Sequence, residues 1–268
     1  MVPSQIARRE STAGRHRLKY LMGYAGRAPF RSGGKPQRRS ERSATMLISH
    51  PHKFIFIKST KTAGTSTEVY FEQFCRPPVD LPENWSQWHS NSENQITEFG
   101  VVAARGKGID KSDFFNHMTP TQLVAIVGND LWEQYFTFIN VRNPWDKVVS
   151  KFFHSPHWDA LKDNDPQDSQ VTEAFNNFGS RFRRPLLDKY VLDEEFPFDD
   201  FIRYEDLENE IARVLTKLNL ECVREIPRLK TEIRSTRWDD YRSLFGAEAK
   251  QNIANQYGDW IERFNYAF

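Results

Sequence analysis

The sequence contains only two cysteines in 268 residues, Cys75 and Cys222, and neither has a CxxC or metal-site spacing. This scarcity excludes a disulfide framework and favours a reducing compartment, so we expect a cytoplasmic protein. Long apolar runs are also missing. No stretch approaches the length of a transmembrane span, and the first residues lack the apolar core of a secretory signal. We therefore expect neither a membrane span nor a signal of that kind.

Charge is unevenly divided along a chain whose net charge is only +1. Residues 1–45 hold eleven Lys and Arg against two Asp and Glu, a local charge of +9, so the remainder carries −8. Because this segment has no apolar periodicity, we predict a disordered basic tail followed by one domain at 46–268. The tail is an organelle transit peptide, a nucleic-acid or membrane-binding arm, or the product of an upstream start codon. We favour the last, with Met46 as the true start.

The motif GxxxxGK[ST], the usual loop of nucleotide triphosphatases, is also absent. Residues 58–67 read KSTKTAGTST instead, directly after an apolar run at Phe54–Ile57 that predicts a buried strand. A glycine-bearing loop between a strand and a helix commonly binds an anion, because unpaired N–H groups and the helix dipole point at it. Here Lys61 precedes Gly64 instead of following it. The loop therefore predicts a phosphate-like ligand other than the usual triphosphate.

Strands and helices are predicted to alternate along the chain. A helix over 66–75 is expected to be capped by Ser66, whereas 76–112 is predicted to be irregular and to form part of an acceptor site. Residues 135–141 predict a second strand. The remaining predicted elements are a helix beginning near Thr119, a helix capped by Asn143 with Pro144 in its first turn, a short strand in FIRYEDL, a helix over about 206–218 and a helical C-terminus.

A second candidate anion site lies in VRNPWDKVVS. Arg142 follows the second strand, and Ser150 lies about two turns along the next helix, on the side of Lys147. A guanidinium offers paired N–H donors to phosphate oxygens, and a hydroxyl adds a short hydrogen bond. By itself this pattern is more typical of a structural arginine and an exposed serine. Together with the first loop, it predicts two anion sites.

The two motifs resemble those of the carbohydrate-type, sulfotransferase 2-like family. FIFIKSTKTAGTSTE is similar to the family's Phe-Ile-His-Ile-Pro-Lys-Thr-Ala-Gly-Thr-Ser, and YFTFINVRNPWDKVVSKFF resembles its second signature. NHMTPTQLVAIVG, FIRYEDL and YGDWIERFNYAF also fit the family's layout, so the resemblance covers residues 47–268. It implies a three-layer α/β/α fold like that of P-loop NTPases, with a central and mostly parallel sheet. It also implies the donor 3′-phosphoadenosine 5′-phosphosulfate (PAPS) as co-substrate.

The resemblance also implies roles for individual residues. Lys61 is expected to contact the oxygen that bridges phosphorus and sulfur, while Arg142 and Ser150 contact the 3′-phosphate. Negative charge builds on that bridging oxygen during sulfuryl transfer, so a lysine there stabilises the transition state more than the ground state. No metal ion is expected, since the sequence has no obvious cluster of metal ligands. The predicted donor-binding residues are Lys61, Thr62, Ala63, Gly64, Thr65, Ser66, Arg142 and Ser150.

Several cations have a role that the sequence leaves open. Lys58, Ser59 and Thr60 stand where the family usually has His-Ile-Pro, and losing the proline frees one φ angle and adds a backbone donor. Lys58 is either a second active cation or a solvated lysine at the end of the strand, and we favour the solvated lysine. Lys230 and Arg234 lie in a basic segment that either contacts the 3′-phosphate or forms a solvated charged face, which we favour.

An acceptor hydroxyl needs a base, and His117 in FFNHMTP is the predicted one. The family often places a histidine in this interval, and an imidazole with a pKa of about 6–7 is suited to take a proton at neutral pH. The alternative is that His117 only caps or packs against the helix that begins near Thr119. His89 and Glu68 are the reserve candidates.

The sequence thus predicts an enzyme that transfers a sulfuryl group from PAPS to an acceptor hydroxyl, on a saccharide or another alcohol. We expect no nucleic-acid partner. A phosphotransferase or nucleotide kinase on the same fold is disfavoured, because neither GxxxxGK[ST] nor a Walker-B-like carboxylate ending a strand is visible. A non-catalytic saccharide-binding relative is expected to have lost Lys61 or the 3′-phosphate pair, and both are present.

Overall fold

The computed structural model describes residues 46–77, 94–104, 114, 117–221, 225–229, 238 and 240–268. The predictions for the basic tail at 1–45, for most of the 76–112 segment, and for His89, Cys222, Lys230 and Arg234 fall outside these residues.

The described residues contain six strands that form one sheet. They are β1 (Met46–Ser49), β2 (Phe54–Ile57), β3 (Gln95–Thr97), β4 (Gly100–Val102), β5 (Phe136–Val141) and β6 (Asp200–Arg203). Their order across the sheet is β3, β4, β1, β2, β5, β6. β2 pairs with β5, and β5 with β6, in parallel. The other three pairings are antiparallel.

The sheet is therefore mixed, and the prediction of a mostly parallel sheet is wrong. Only four residues join β1 to β2, and two join β3 to β4. Connections this short cannot form the crossover that parallel strands require, so each pair is an antiparallel hairpin. β2 and β5 run parallel because a long connection with helices separates them. Their carboxyl ends consequently lie side by side at one edge of the sheet.

Ten helices are found in the described part of the chain, and none of them is long and apolar enough to cross a bilayer. They are α1 (Gly64–Phe71), α2 (Pro120–Val127), α3 (Asn129–Gln134), α4 (Pro144–Phe152), α5 (Pro156–Asp159), α6 (Asp168–Ser180), α7 (Leu186–Lys189), α8 (Leu207–Lys217), α9 (Ala247–Gln256) and α10 (Gly258–Phe264). Short 3₁₀ helices occur at Glu72–Cys75, Lys162–Asn164, Tyr204–Asp206 and Tyr241–Leu244.

The strands bury apolar side chains on both faces of the sheet, as the period of two in a strand requires. In β2, Ile55 and Ile57 belong to one core cluster, which also contains residues of α4, α6, α9 and α10. Phe54 and Phe56 belong to a second cluster with residues of α1 and α8. The molecule is thus an α/β protein with helices packed on both sides of a mixed sheet.

Local signals predicted several elements correctly. β2 spans the predicted residues, and β5 begins one residue later than expected. Thr119 caps α2 through reciprocal hydrogen bonds with Gln122, which form a capping box. Asn143 caps α4 by accepting a hydrogen bond from the Trp145 N–H, with Pro144 in the first turn.

Two predictions about secondary structure are wrong, the start of α1 and the irregular 76–112 segment. α1 begins at Gly64, and Ser66 lies inside it instead of capping it. The cap position belongs to Ala63, which has a left-handed φ of 56°, and the Ser66 hydroxyl instead accepts a hydrogen bond from the Leu229 N–H at 3.1 Å. The supposedly irregular 76–112 segment contains β3 and β4. Strands of three residues show too little alternation to be detected, and β4 is held by its long-range pairing with β1.

Candidate functional site

The candidate site lies where β2 and β5 end beside each other. The loop after β2 is tied to the end of β5 by the Ser59 hydroxyl, which donates to the Asn140 carbonyl oxygen at 2.6 Å. It is tied a second time by Arg142, whose Nη1 donates to the Lys61 carbonyl oxygen at 3.1 Å. The two motifs are therefore brought together by parallel pairing and by direct hydrogen bonds.

A cavity of about 830 Å³ opens between these two loops. This volume is within the range of roughly 300–1,000 Å³ that small-molecule sites usually have. All nine predicted site residues line it: Lys61, Thr62, Ala63, Gly64, Thr65, Ser66, His117, Arg142 and Ser150. Its remaining walls come from α4, from the segment Tyr204–Asn209 and from Ile226–Leu229.

The backbone of the first loop has the shape of an anion site. Lys61 and Ala63 both adopt the left-handed region, with φ of 60° and 56°, although neither is glycine. A left-handed conformation costs a non-glycine residue free energy, so it persists only where the surrounding structure imposes it. Such residues concentrate at functional sites. The turn places Ala63, which has no polar side chain, at the N-cap of α1. The N–H groups of the first helical turn are thus not capped by that residue, and the helix dipole adds positive potential.

Ser59 and Thr62 hold the loop together internally. Because the Ser59 hydroxyl donates to Asn140, the Thr62 hydroxyl donates to the Ser59 hydroxyl oxygen at 2.8 Å, and it also lies 3.2 Å from the Ser59 carbonyl oxygen. Thr62 is fully buried. Its hydroxyl therefore belongs to the scaffold of the loop, which leaves the backbone of Thr62 as the part suited to an anion.

Gly64 is required by the path of Lys58. A Cβ atom on Gly64 is expected to lie 2.5 Å from Lys58 Cγ, which is closer than real Cβ contacts allow. The aliphatic stem of Lys58 thus crosses the start of α1, and its Nζ atom lies 3.4 Å from Oε2 of Glu68. Lys58 is 8% exposed and Glu68 fully buried. The interpretation of Lys58 as a solvated lysine is therefore wrong.

Arg142 is held on three sides. Its Nε and Nη2 atoms bind Oδ2 of Asp146 at 2.8 and 2.6 Å, and Nη1 donates to the Lys61 carbonyl oxygen. The ring of Tyr204 covers one face of the guanidinium, with its centroid 3.7 Å from Cζ. A guanidinium has five N–H donors, so two remain, one on each terminal nitrogen. This paired end can bind two oxygens of one anion.

The cavity wall formed by α4 contains more chemistry than the sequence indicated. Lys151 and His154 line the cavity with Ser150, and Nδ1 of His154 lies 2.8 Å from the Ser150 carbonyl oxygen. The available signal was the four-residue spacing of His154 from Ser150, although His154 lies two residues beyond the end of α4. Lys147 does not line the cavity. It is buried, with Nζ 2.6 Å from Oδ2 of Asp188, and burial lowers its pKa although Asp188 raises it.

His117 lines the cavity with its ring orientation fixed. Its Nδ1 atom lies 2.8 Å from the Lys58 carbonyl oxygen. A carbonyl oxygen only accepts hydrogen bonds, so Nδ1 carries the proton and Nε2 has the lone pair. Burial and the Lys58 ammonium lower the pKa of His117 to about 3. The expectation of a pKa near neutrality is therefore corrected.

The geometry also addresses two alternatives: His117 as a helix cap and Glu68 as the base. Thr119, two residues later, is the cap of α2, so His117 does not perform that function. Glu68 is fully buried against Lys58 and is not among the cavity-lining residues. It is thus poorly placed to contact an acceptor.

The cavity has opposite charges on different walls. Most of its basic residues come from the two loops and from α4, which also carries Asp146, and Arg228 adds one more. Glu205, Asp206 and Glu208 contribute carboxylates from the segment that follows β6. No sequence pattern indicated this acidic wall. Glu205 accepts a hydrogen bond from the Asn143 N–H at 2.6 Å, and Glu208 pairs with Arg228 at 3.0 Å. Within the described ranges, no group of three or more His, Cys, Asp or Glu side chains is arranged to hold a metal ion.

Comparison with known proteins adds little to this geometry. No family model matches the chain, and no solved structure matches it. A protein of Archaeoglobus fulgidus, described as uncharacterized, is 29% identical over 131 residues, which cover 44% of this chain and 92% of that protein.

Proposed function

We propose that this chain is a PAPS-dependent sulfotransferase built on an α/β/α fold related to that of P-loop NTPases. The observation that carries the proposal is the meeting of two candidate anion-binding loops in one cavity. Both loops follow neighbouring parallel strands, and the Arg142–Lys61 hydrogen bond joins them. PAPS carries two separated anionic groups, a 5′-phosphosulfate and a 3′-phosphate. A cavity with two such loops suits this donor better than a ligand with one anionic group.

The residues on the cavity wall fit the two ends of the donor. The loop from Lys61 to Ser66 offers backbone N–H groups at the start of α1 for the phosphosulfate. The paired end of Arg142 and the Ser150 hydroxyl are assigned to the 3′-phosphate. Lys61 is assigned to the bridging oxygen, where it stabilises the charge that develops as the sulfur bond breaks.

The proposed reaction transfers one sulfuryl group. The acceptor hydroxyl oxygen forms a bond to sulfur while the bond between sulfur and the bridging oxygen breaks. The electron pair of the broken bond stays on the phosphate oxygen beside Lys61. Nε2 of His117 accepts the hydroxyl proton, because its lone pair belongs to the tautomer that the Lys58 carbonyl selects. The acceptor is proposed to be a saccharide or another alcohol.

A thermal-shift comparison tests the donor class. Adenosine 3′,5′-bisphosphate should raise the melting temperature more than ATP with Mg²⁺ does, because only the bisphosphate has a 3′-phosphate for Arg142 and Ser150. A larger effect of ATP with Mg²⁺ would favour the nucleotide kinase instead. Transfer of radiolabelled sulfate to a panel of glycans and small alcohols then tests catalysis. Donor binding without transfer to any acceptor in the panel would favour the non-catalytic saccharide-binding relative.

A further inference from the structure

We propose that Lys58 is a positioning residue for His117: its carbonyl oxygen selects the imidazole tautomer, and its ammonium, held by Glu68, supplies a buried positive charge from the same residue. The inference rests on the proposed function, because it concerns the group that takes the acceptor proton. It assigns a role to a position at which this chain departs from the family that it resembles.

The backbone part of the role follows from one contact. The Lys58 carbonyl oxygen lies 2.8 Å from Nδ1 of His117 and can only accept a proton. Lys58 directly follows β2, and the next residue, Ser59, is fixed to the Asn140 carbonyl oxygen at 2.6 Å. The carbonyl is thus held by the sheet itself. His117 in turn has a left-handed backbone, with φ of 53°, which directs its ring to this acceptor.

The side-chain part of the role follows from the buried ion pair. Glu68 is fully buried on α1, and Nζ of Lys58 lies 3.4 Å from its Oε2. A buried carboxylate without a cation is unfavourable, because its charge is then uncompensated. Glu68 therefore holds the Lys58 ammonium beside it. The absence of a side chain at Gly64 lets the stem of Lys58 pass over the helix start. The ion pair therefore fixes a buried positive charge on the residue whose carbonyl oxygen contacts the imidazole.

The charged groups that act on His117 come from three elements. Lys58 lies on the loop after β2, with Glu68 of α1 as its partner, and Lys147 and Lys151 lie on α4. Lys147 is itself paired with Asp188. Burial is the largest cause of the lowered His117 pKa, and all three lysines also disfavour a protonated ring. Lys58 has the largest effect among the charges, and it also supplies the hydrogen-bond acceptor.

Nitrogen-15 NMR of the imidazole in the ligand-free protein tests both parts without any substrate. The wild type should show the Nδ1–H tautomer from pH 5 to 9 and no titration of His117 near pH 6.5. A protonated Nε2 and bare Nδ1 in the neutral ring would overturn the positioning role. The wild type alone supplies this result, so it does not depend on the folding of a variant.

The electrostatic part is tested by the double variant Lys58→Met/Glu68→Gln. Methionine keeps an unbranched stem over Gly64, and the paired change leaves no uncompensated buried charge. The tautomer should persist because the carbonyl remains, while the pKa of His117, measured in a titration extended below pH 5, rises by about one pH unit. Lys151→Met is the matched control and should produce a smaller rise. An unchanged titration in the double variant overturns the electrostatic role. Lys58→Arg, which keeps the charge, should retain the wild-type titration, and a rise there would also overturn it.

Kinetics connect the inference to the proposed reaction. The sulfation rate of both proteins should be flat from pH 5 to 9, and below pH 5 the acid limb of the double variant should lie about one pH unit above that of the wild type, following its raised His117 pKa. If no sulfation occurs with either protein while the NMR results hold, the proposed function fails and the positioning of His117 stands. If sulfation occurs but the double variant has the pH profile of the wild type, the inference fails.

Discussion

Nη1 of Arg142 donates a hydrogen bond to the carbonyl oxygen of Lys61 at 3.1 Å, across a sequence separation of 81 residues. Lys61 is one of the two left-handed residues that shape the first loop. The arginine assigned to one anion therefore also stabilises the backbone assigned to the other. The two subsites are expected to be energetically linked.

Arg142→Ala should weaken the binding of adenosine 3′,5′-bisphosphate roughly ten- to hundredfold, since a charge-assisted bidentate contact contributes about 1.5–3 kcal/mol. Binding of 5′-AMP should fall by a smaller factor, because AMP lacks the 3′-phosphate but still uses the loop that Arg142 supports. Calorimetry with both ligands measures the difference, and Arg142→Lys separates charge from the paired geometry. Equal losses for the two ligands would remove Arg142 from the 3′-phosphate role.

Lys61→Ala should slow the chemical step by more than it weakens donor binding. The positive charge of Lys61 acts mainly when charge develops on the bridging oxygen, and such contacts are worth about 10²–10³ in rate. Single-turnover sulfation at saturating donor gives the rate, and calorimetry gives the affinity. Lys61→Arg is the control that retains the charge. A rate loss equal to the loss in affinity would indicate ordinary binding without selective stabilisation of the transition state.

Acid should destabilise the protein through His117. Its pKa is about 3 in the folded state and 6.5 ordinarily, so the unfolded chain binds the proton more readily between these values. The stability that the neutral ring contributes is thus complete above pH 6.5 and is lost as the pH falls towards 3. His117→Asn keeps a residue that tolerates the left-handed backbone. In denaturant titrations from pH 7.5 to 3.5, the wild type should lose stability more steeply than this variant, and parallel curves would contradict the expectation.

The buried Lys147–Asp188 pair should contribute to stability more than to catalysis. Tyr257 also donates to Asp188 at 2.6 Å, and Nζ of Lys147 lies 4.6 Å from the ring centroid of Trp260. Lys147→Met leaves the Asp188 carboxylate buried without its cation and should cost about 3–5 kcal/mol of unfolding free energy. Lys147→Met/Asp188→Asn should cost less than the single change. Denaturant unfolding measures both, and a double variant less stable than Lys147→Met would rule out the coupling.

Parts of the fold and the site were predictable wherever the determining interactions are local. The capping box of Thr119 and the Asn143–Pro144 helix start are encoded within a few residues, and each was found at its predicted place. The start of α1 was missed because it depends on the left-handed turn at Ala63. The hairpin of β3 and β4 was missed because β4 is stabilised by β1, far away in the sequence.

The residues of the candidate site were likewise predictable where they lie within one local motif, and not where they depend on contacts between distant segments. Residues inside the two motifs were predicted and do line one cavity, because a strand followed by a loop and a helix places them on the same sheet edge. The burial of Lys58 and the position of Tyr204 over Arg142 depend on contacts between distant segments. No pattern within either segment encodes such contacts.

The parallel pairing of β2 with β5 has a consequence for the order of folding. β1 and β2 are joined by a short turn, whereas Phe54 meets Phe136 only after a long loop has closed. The cavity gains its second wall only at that later step. A ligand that spans both loops should therefore bind after the rate-limiting closure, slowing unfolding while leaving the refolding rate unchanged. Stopped-flow measurements with and without adenosine 3′,5′-bisphosphate can show this, and faster refolding with the ligand would mean that the two loops meet early.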